Sequence, residues 1–333
     1  MASTPSFELP SSTNVVGVSV IDSTSRLRVP MPAFVKESIP GHEFLDAPAY
    51  SFLVEHASGQ NVLFDLALRK DMEGLPPAIL EPFQEVAAKS GAHGHIDHTG
   101  DPSTFPASTC LVVGPGFKDT MLPGYPANPK GLILESDYQG RDLVEINFET
   151  HPGAIKIGGF RAVDYFQDGS FYLLDAPGHT VGHMSALART TPTTFILMGG
   201  DSCHHCASLR PTQYLPLPNE LSPSPVSKPP FRPGSICPGE VFVKIHPEKA
   251  KDKPFYQKLS ESWDRDVAEA EKTLSTLTEF DAKDEVFVVL AHDNSLLDVI
   301  DFFPKRANDW KEKGWKEESR WRFLKDFQAS VEL

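Results

Sequence analysis

Long apolar runs, cysteines in number and an excess of basic residues are all missing from this chain. No stretch of its 333 residues stays apolar long enough to span a bilayer, which excludes a helical membrane protein. Four cysteines in a chain of this length do not build a disulfide framework, so reduced thiols are expected. Lys and Arg number 31 against 45 Asp and Glu, a formal net charge of -14. A balance of that sign lacks the basic patch that neutralises phosphates, so neither nucleic acid nor an anionic membrane is an expected partner. Met1 to Phe7 carries no basic region followed by an apolar run, so no secretory signal is expected and the cytoplasm is the default compartment. Gly114-Pro115-Gly116-Phe117-Lys118 lacks the Gly-Lys-Ser/Thr ending of a phosphate loop and reads as a turn into a short helix. No internal repeat is visible.

What is present is a 40% hydrophobic composition, enough for a sizeable core. Short β-branched runs predict strands at Asn14 to Asp22, Tyr50 to His56 and Asn61 to Leu66, the last two joined as a hairpin, with a loop over Pro30 to Pro48. Apolar residues at helical spacing predict a helix from Pro77 to about Lys89. Further strands are expected at Thr109 to Val113, Leu143 to Ile146, Ala154 to Ile157, Phe160 to Tyr165, Ser170 to Leu174, His183 to Ala188, Thr194 to Met198 and Val286 to Leu290. Helices are expected at Trp263 to Phe280, Ser295 to Phe303 and about Asn308 to Phe327, with Trp310, Trp315 and Trp321 as packing anchors. The stretch from about 209 to 254 holds eleven of the 30 prolines and reads as an insertion in a single domain covering 1–333. Its ends return to the candidate site, so Tyr214, Leu215, Leu217 and Phe231 are expected to wall the pocket.

The densest chemistry lies in Ala92-His93-Gly94-His95-Ile96-Asp97-His98-Thr99-Gly100-Asp101, where the six residues from His93 to His98 hold three imidazoles and a carboxylate on a backbone able to turn tightly. Four features elsewhere complete a two-metal site: Gly178-His179-Thr180 after a strand, Gly199-Gly200-Asp201 at a strand's end, His292 at another, and no cysteine in a ligand position, which favours N/O coordination. His93, His95 and His179 are assigned to one ion, Asp97, His98 and His292 to the other, and Asp201 bridges them. Two zinc ions suit the donors, with iron, manganese or cobalt as alternatives. Such a pair holds a hydroxide at neutral pH and polarises a carbonyl, with Asp97 and Asp201 handling the proton. His183 reads as a supporting histidine, Cys203-His204-His205-Cys206 as pocket wall, and His42, His56, His151 and His246 as structural.

On His93-Gly94-His95-Ile96-Asp97-His98, then Gly178-His179-Thr180 with Gly182-His183, then Asp201 and His292, the sequence resembles the metallo-β-lactamase superfamily from roughly Asn14 to His292. The resemblance implies an α/β fold, a four-layer αββα sandwich with the metals at one edge, and hydrolysis of an ester, thioester, amide or phosphoester. A histidine at position 95, where redox-active members of similar pattern carry glutamate, points to hydrolysis. The complete ligand set is most similar to lactone-opening hydrolases acting on a small molecule, with lactam or thioester hydrolysis as the alternative. The interval from Asp65 to His93 must already hold a loop and a helix, leaving no apolar strand to feed His93. A catalytically impaired metal-binding scaffold is therefore the alternative from another class.

Overall fold

The computed structural model describes residues 4–80, 97–227 and 234–331. Three antiparallel strands, β1 (Gly17–Pro30), β2 (Phe44–Glu55) and β3 (Asn61–Phe64), form a first sheet in that order. β1 runs past Asp22, where the sequence predicts its end. The register shifts between Asp22 and Arg26, Thr24 takes φ 64°, and its N–H donates to Asp22 Oδ1 at 2.9 Å. The polar Asp-Ser-Thr-Ser run is thus absorbed as a bulge instead of stopping the strand. Beyond it β1 pairs with Phe44 to Pro48, so the expected loop over Pro30 to Pro48 ends in strand, and Leu27, Val29 and Leu45 sit on a two-stranded arm.

A parallel pair, β4 (Leu111–Val113) with β5 (Leu143–Glu145), stands as a separate small sheet among the described residues. The larger sheet has six strands: β6 (Ala154–Ile157), β7 (Phe160–Asp164), β8 (Phe171–Asp175), β9 (Met184–Thr191), β10 (Thr194–Met198) and, across a short β11 (Glu220–Leu221) and β12 (Cys237–Pro238) ribbon, β13 (Val286–Val289). Its order is β13-β10-β9-β8-β7-β6, antiparallel except for β10 with β13.

Strands β8, β10 and β13 of this sheet are buried along their whole length, which is why they read as nearly continuous apolar runs. Leu173, Ala186, Ile196, Met198 and Val289 meet Val18, Val20, Phe52 and Val54 of the first sheet. On the other face Leu174, Leu187, Phe195, Leu197 and Val288 meet Ala270, Leu274, Leu277 and Phe280 of the helix Val267–Asp281. That helix starts later than its apolar pattern because Asp266 caps it, accepting from the Glu269 N–H at 3.1 Å. Residues 77–80 are helical, and the remainder of the helix expected to Lys89 lies outside the described residues.

The two expected C-terminal helices are instead a 3-10 turn at Asn294–Leu296, a short helix Trp315–Ser319 and a 3-10 segment Arg322–Phe327. Their apolar positions are real, with Trp310, Trp315, Leu324 and Phe327 buried. Gly314 at φ 69° splits the run before a long helix can form. The ends of β3, β8, β10 and β13 and the start of β9 all lead onto one rim, where the candidate residues gather.

Candidate metal centre

Each side chain at the rim is delivered by a strand end and a turn. β8 ends in Asp175, and the following turn presents His179 through Gly178 at φ 117°. A Cβ on Gly178 would lie 2.1 Å from the Ala270 nitrogen, so only glycine lets the helix approach this closely. The helix entry then holds the turn, Arg265 N–H donating to the His179 carbonyl and Asp266 N–H to that of Gly178, both at 2.9 Å. β10 ends before Gly200, at φ 53°, where a Cβ would meet His183 Nε2 at 2.9 Å. That clearance lets the Asp201 N–H reach the same nitrogen at 3.0 Å. β13 leads to His292. Asp97 and His98 follow the motif's first part, of which His93 and His95 lie outside the described residues.

Three imidazoles are oriented alike. Nδ1 of His98 donates to Asp65 Oδ2 at 2.5 Å, that of His179 to Asp264 Oδ1 at 2.8 Å, and that of His292 to the Pro48 carbonyl at 2.8 Å. With the hydrogen on Nδ1, each ring turns the lone pair of Nε2 inward. The three Nε2 atoms lie 2.8, 3.2 and 3.1 Å from Asp201 oxygens, and His292 Nε2 is also 3.3 Å from Asp97 Oδ2. Yet His98 Nε2 and Asp201 Oδ1, both buried, form no hydrogen bond. Imidazole and carboxylate donors crowded this closely share positive charge, whether from protons on Nε2 or from metal, and the donor set fits divalent ions. Ligand atoms of Asp97, His98 and His292 all fall within 4.8 Å of one another, and those of His179, Asp201 and His204 do likewise.

The electrostatics say the same. Burial opposes charge on His98, but the carboxylates of Asp201, Asp65 and Asp97 outweigh it and hold the ring's pKa well above the usual imidazole range. Burial is likewise overcome at His179 and His292, raised to about 9 and about 10 by Asp201 together with Asp264 and Asp97 respectively. Asp97 falls to about 2 and Asp201 well below its usual value, because the surrounding imidazoles outweigh burial. The centre is built for positive charge.

Other histidines sort out by the same tautomer logic. His183 donates from Nδ1 to the Ala176 carbonyl at 2.8 Å and accepts the Asp201 N–H, so both nitrogens are committed and it holds the Asp201 backbone. Burial pushes it down to about 3, keeping it neutral. His42, His205 and Asp326 bring ligand atoms within 4.8 Å, yet His205 Nδ1 accepts the Ala207 N–H at 3.1 Å. Its Nε2 therefore carries the hydrogen and donates to Asp326 at 3.2 Å, leaving a hydrogen-bonded cluster rather than a metal site. His56, His151 and His246 have structural partners in Asp168, the Gly153 N–H and the carbonyls of Lys253 and Pro254.

A narrow cleft opens over Asp97, Asp201, His204 and His292. Its walls are Leu27, Val29, Phe34, Leu45 and Trp263, from the β1–β2 arm, the segment after it and the approach to the long helix. They are not Tyr214, Leu215 and Leu217 as the sequence suggests; Phe231 lies outside the described residues. Leu217 is instead buried in the hydrophobic cluster that also holds Phe242 and Phe323, and β11 pairs with β12 within the proline-rich stretch. Of the Cys203-His204-His205-Cys206 stretch, only His204 reaches the cleft. Asp65, Asp264 and the Pro48 carbonyl, which orient the ligands, carry no motif in the sequence.

No family model matches the chain. It is 42% identical over 356 aligned residues to gamma-lactamase FDB1 of Fusarium pseudograminearum (strain CS3096), spanning 97% of this chain and 85% of that protein. It is 40% identical to the metallo-hydrolase mfmC of Annulohypoxylon moriforme over 98% of this chain and 91% of that protein. Among solved structures, a quorum-quenching N-acyl homoserine lactone hydrolase superposes with a TM-score of 0.51 at 14% identity, covering 89% of this chain and 99% of that one, a likeness of fold alone. The chain belongs to the metallo-β-lactamase superfamily. It is a hydrolase with that superfamily's mixed α/β sandwich and a His/Asp centre able to hold metal.

Proposed function

We propose that the protein opens a small cyclic amide or ester, with a γ-lactam placed ahead of the lactone that the sequence favours. The observation carrying the reading is the convergence of three inward Nε2 atoms on Asp201 at the floor of an apolar cleft. The order of substrates rests on the γ-lactamase relative. Asp97, His98 and His292 would hold one zinc ion, His179 with His93 and His95 the other, and Asp201 would bridge; iron, manganese or cobalt suit the same donors. When bound, such a pair lowers the pKa of water and polarises a carbonyl.

The chain supplies the rest. His183 and Gly200 fix the Asp201 backbone, and the Leu27, Val29, Phe34, Leu45 and Trp263 walls exclude water and pack against the ring. Asp97 and Asp201 both face the cleft, so either carboxylate can take the proton of the attacking water and return it to the leaving atom. An amide nitrogen leaves poorly unless protonated, so this return matters more for a lactam than for a lactone.

Zinc-loaded protein assayed on parallel γ-lactam, γ-lactone and thioester panels tests the reading. The highest kcat/KM is expected on a lactam, and His98→Ala and Asp201→Asn should each lose most of it with the fold retained. No turnover on any panel with zinc bound would overturn the proposal in favour of a metal-binding scaffold.

A further inference from the structure

Resting on the γ-lactam reading above, we infer that His204 sets the preference for amide over ester, its Nδ1 accepting the ring N–H that a lactam has and a lactone lacks. The ion beside His179 already takes His93, His95 and the bridging Asp201 in that reading, so His204 has no ligand position to fill. It lines the cleft all the same, beside Asp97, Asp201 and His292. Of the other side chains there, Leu27, Val29, Phe34 and Leu45 are apolar, and the indole of Trp263 can only donate. Outside the metal ligands, His204 therefore brings the one side-chain acceptor among the described residues of the cleft.

Which nitrogen accepts follows from the surroundings. Nε2 of His204 lies 3.4 Å from Asp201 Oδ2, and a carboxylate at that range draws the imidazole hydrogen to Nε2. An imidazole uncharged at neutral pH then keeps its lone pair on Nδ1, which makes no hydrogen bond to any described residue. His98, His179 and His292 are the reverse case, since their Nδ1 hydrogens are given to Asp65, Asp264 and the Pro48 carbonyl. The plane of the His204 ring is fixed by stacking on Phe34, centroids 4.2 Å apart and planes at 25°. A lactam N–H seated against Nδ1 is satisfied, whereas a lactone brings its ring oxygen there and sets lone pair against lone pair. A site that hydrogen-bonds one substrate atom disfavours the analogue lacking it, because the enclosed polar group stays unpaired.

Zinc-loaded wild type and His204→Phe, assayed on a γ-lactam, its N-methyl derivative and the matching γ-lactone, test the inference. Phenylalanine keeps a ring against Phe34 and removes both nitrogens. In the variant kcat/KM on the N–H lactam should fall at least about tenfold, while the N-methyl lactam and the lactone change less than about threefold. Zinc content should stay at the wild-type level. His204→Gln, which restores a side-chain acceptor, should recover part of the lactam rate. Should His204→Phe fold poorly, judged by circular dichroism, His204→Leu on the same substrates reads the same ratios. An equal fall on every substrate, or loss of a zinc ion in the variant that folds, overturns the inference while leaving the proposed hydrolysis standing. Turnover of none of the substrates by zinc-loaded wild type overturns both.

Discussion

Asp65 and Asp264 touch no substrate, yet each holds the Nδ1 hydrogen of a histidine whose Nε2 faces the centre. Replacing either by Asn keeps an acceptor in place but removes the negative charge that raises the ligand's basicity. Asp65→Asn and Asp264→Asn should therefore weaken zinc binding by about 10–100-fold with secondary structure unchanged, measured by chelator competition. Unchanged affinity in both would mean that these carboxylates only fill space. The two residues also mark the limit of what the sequence discloses. That Asp97, His98, His179, Asp201 and His292 gather in one place was legible, because each sits in a glycine-flanked turn or at a strand's end. Their supports come from far along the chain, 33, 85 and 244 positions away, and hydrogen-bond partners brought together only by the fold leave no local pattern. Of the Cys203-His204-His205-Cys206 stretch only His204 lines the cleft, because adjacent residues in a turn face opposite sides and the sequence does not say which one faces in.

At the level of elements, the helix Val267–Asp281 is tied to the segment after the site by a buried pair: Arg210 Nε and Nη2 donate to the two Asp281 oxygens at 2.7 and 2.6 Å. Both side chains are almost fully buried. Asp281→Asn leaves the guanidinium charge uncompensated, and the expected loss is roughly 3–5 kcal/mol at neutral pH by denaturant unfolding. Burial raises the carboxyl's pKa, but Arg210 outweighs it and holds Asp281 below its ordinary value. The sign follows: the pair's stabilisation is fully present above the unfolded pKa near 3.8 and is lost as pH falls through the lower folded value. The gap between wild type and variant should thus narrow below about pH 4; a gap constant down to pH 2 would contradict the pairing. Strands β8, β10 and β13 of the six-stranded sheet could be read from sequence because burial on both faces makes them almost uniformly apolar. The C-terminal helices could not, since apolar spacing reports which residues are buried and not whether Gly314 interrupts the turn between them.

Across the whole molecule, substrate contact and stability fall on different parts. The proline-rich stretch looked like a roof over the site because both its ends come from the rim, but Leu217, Leu221 and Val226 are buried in the core and Pro218, Pro223 and Pro225 face Glu317 and Trp321 of the C-terminal segment. The cleft takes its walls from the first sheet's arm and from Trp263 instead. Chain proximity to a ligand does not decide where an insertion packs; the apolar residues inside it do. Leu217→Ala should accordingly cost roughly 2–5 kcal/mol of stability while KM, substrate preference and zinc content stay at wild-type values. Trp263→Ala removes wall area from a partly open cleft, so it should raise KM several-fold on the best substrate and leave zinc content unchanged. Steady-state kinetics and thermal unfolding of the two variants, measured side by side, separate the roles. A Leu217→Ala protein with altered substrate preference, beside a Trp263→Ala protein with none, would return the insertion to the roof of the site.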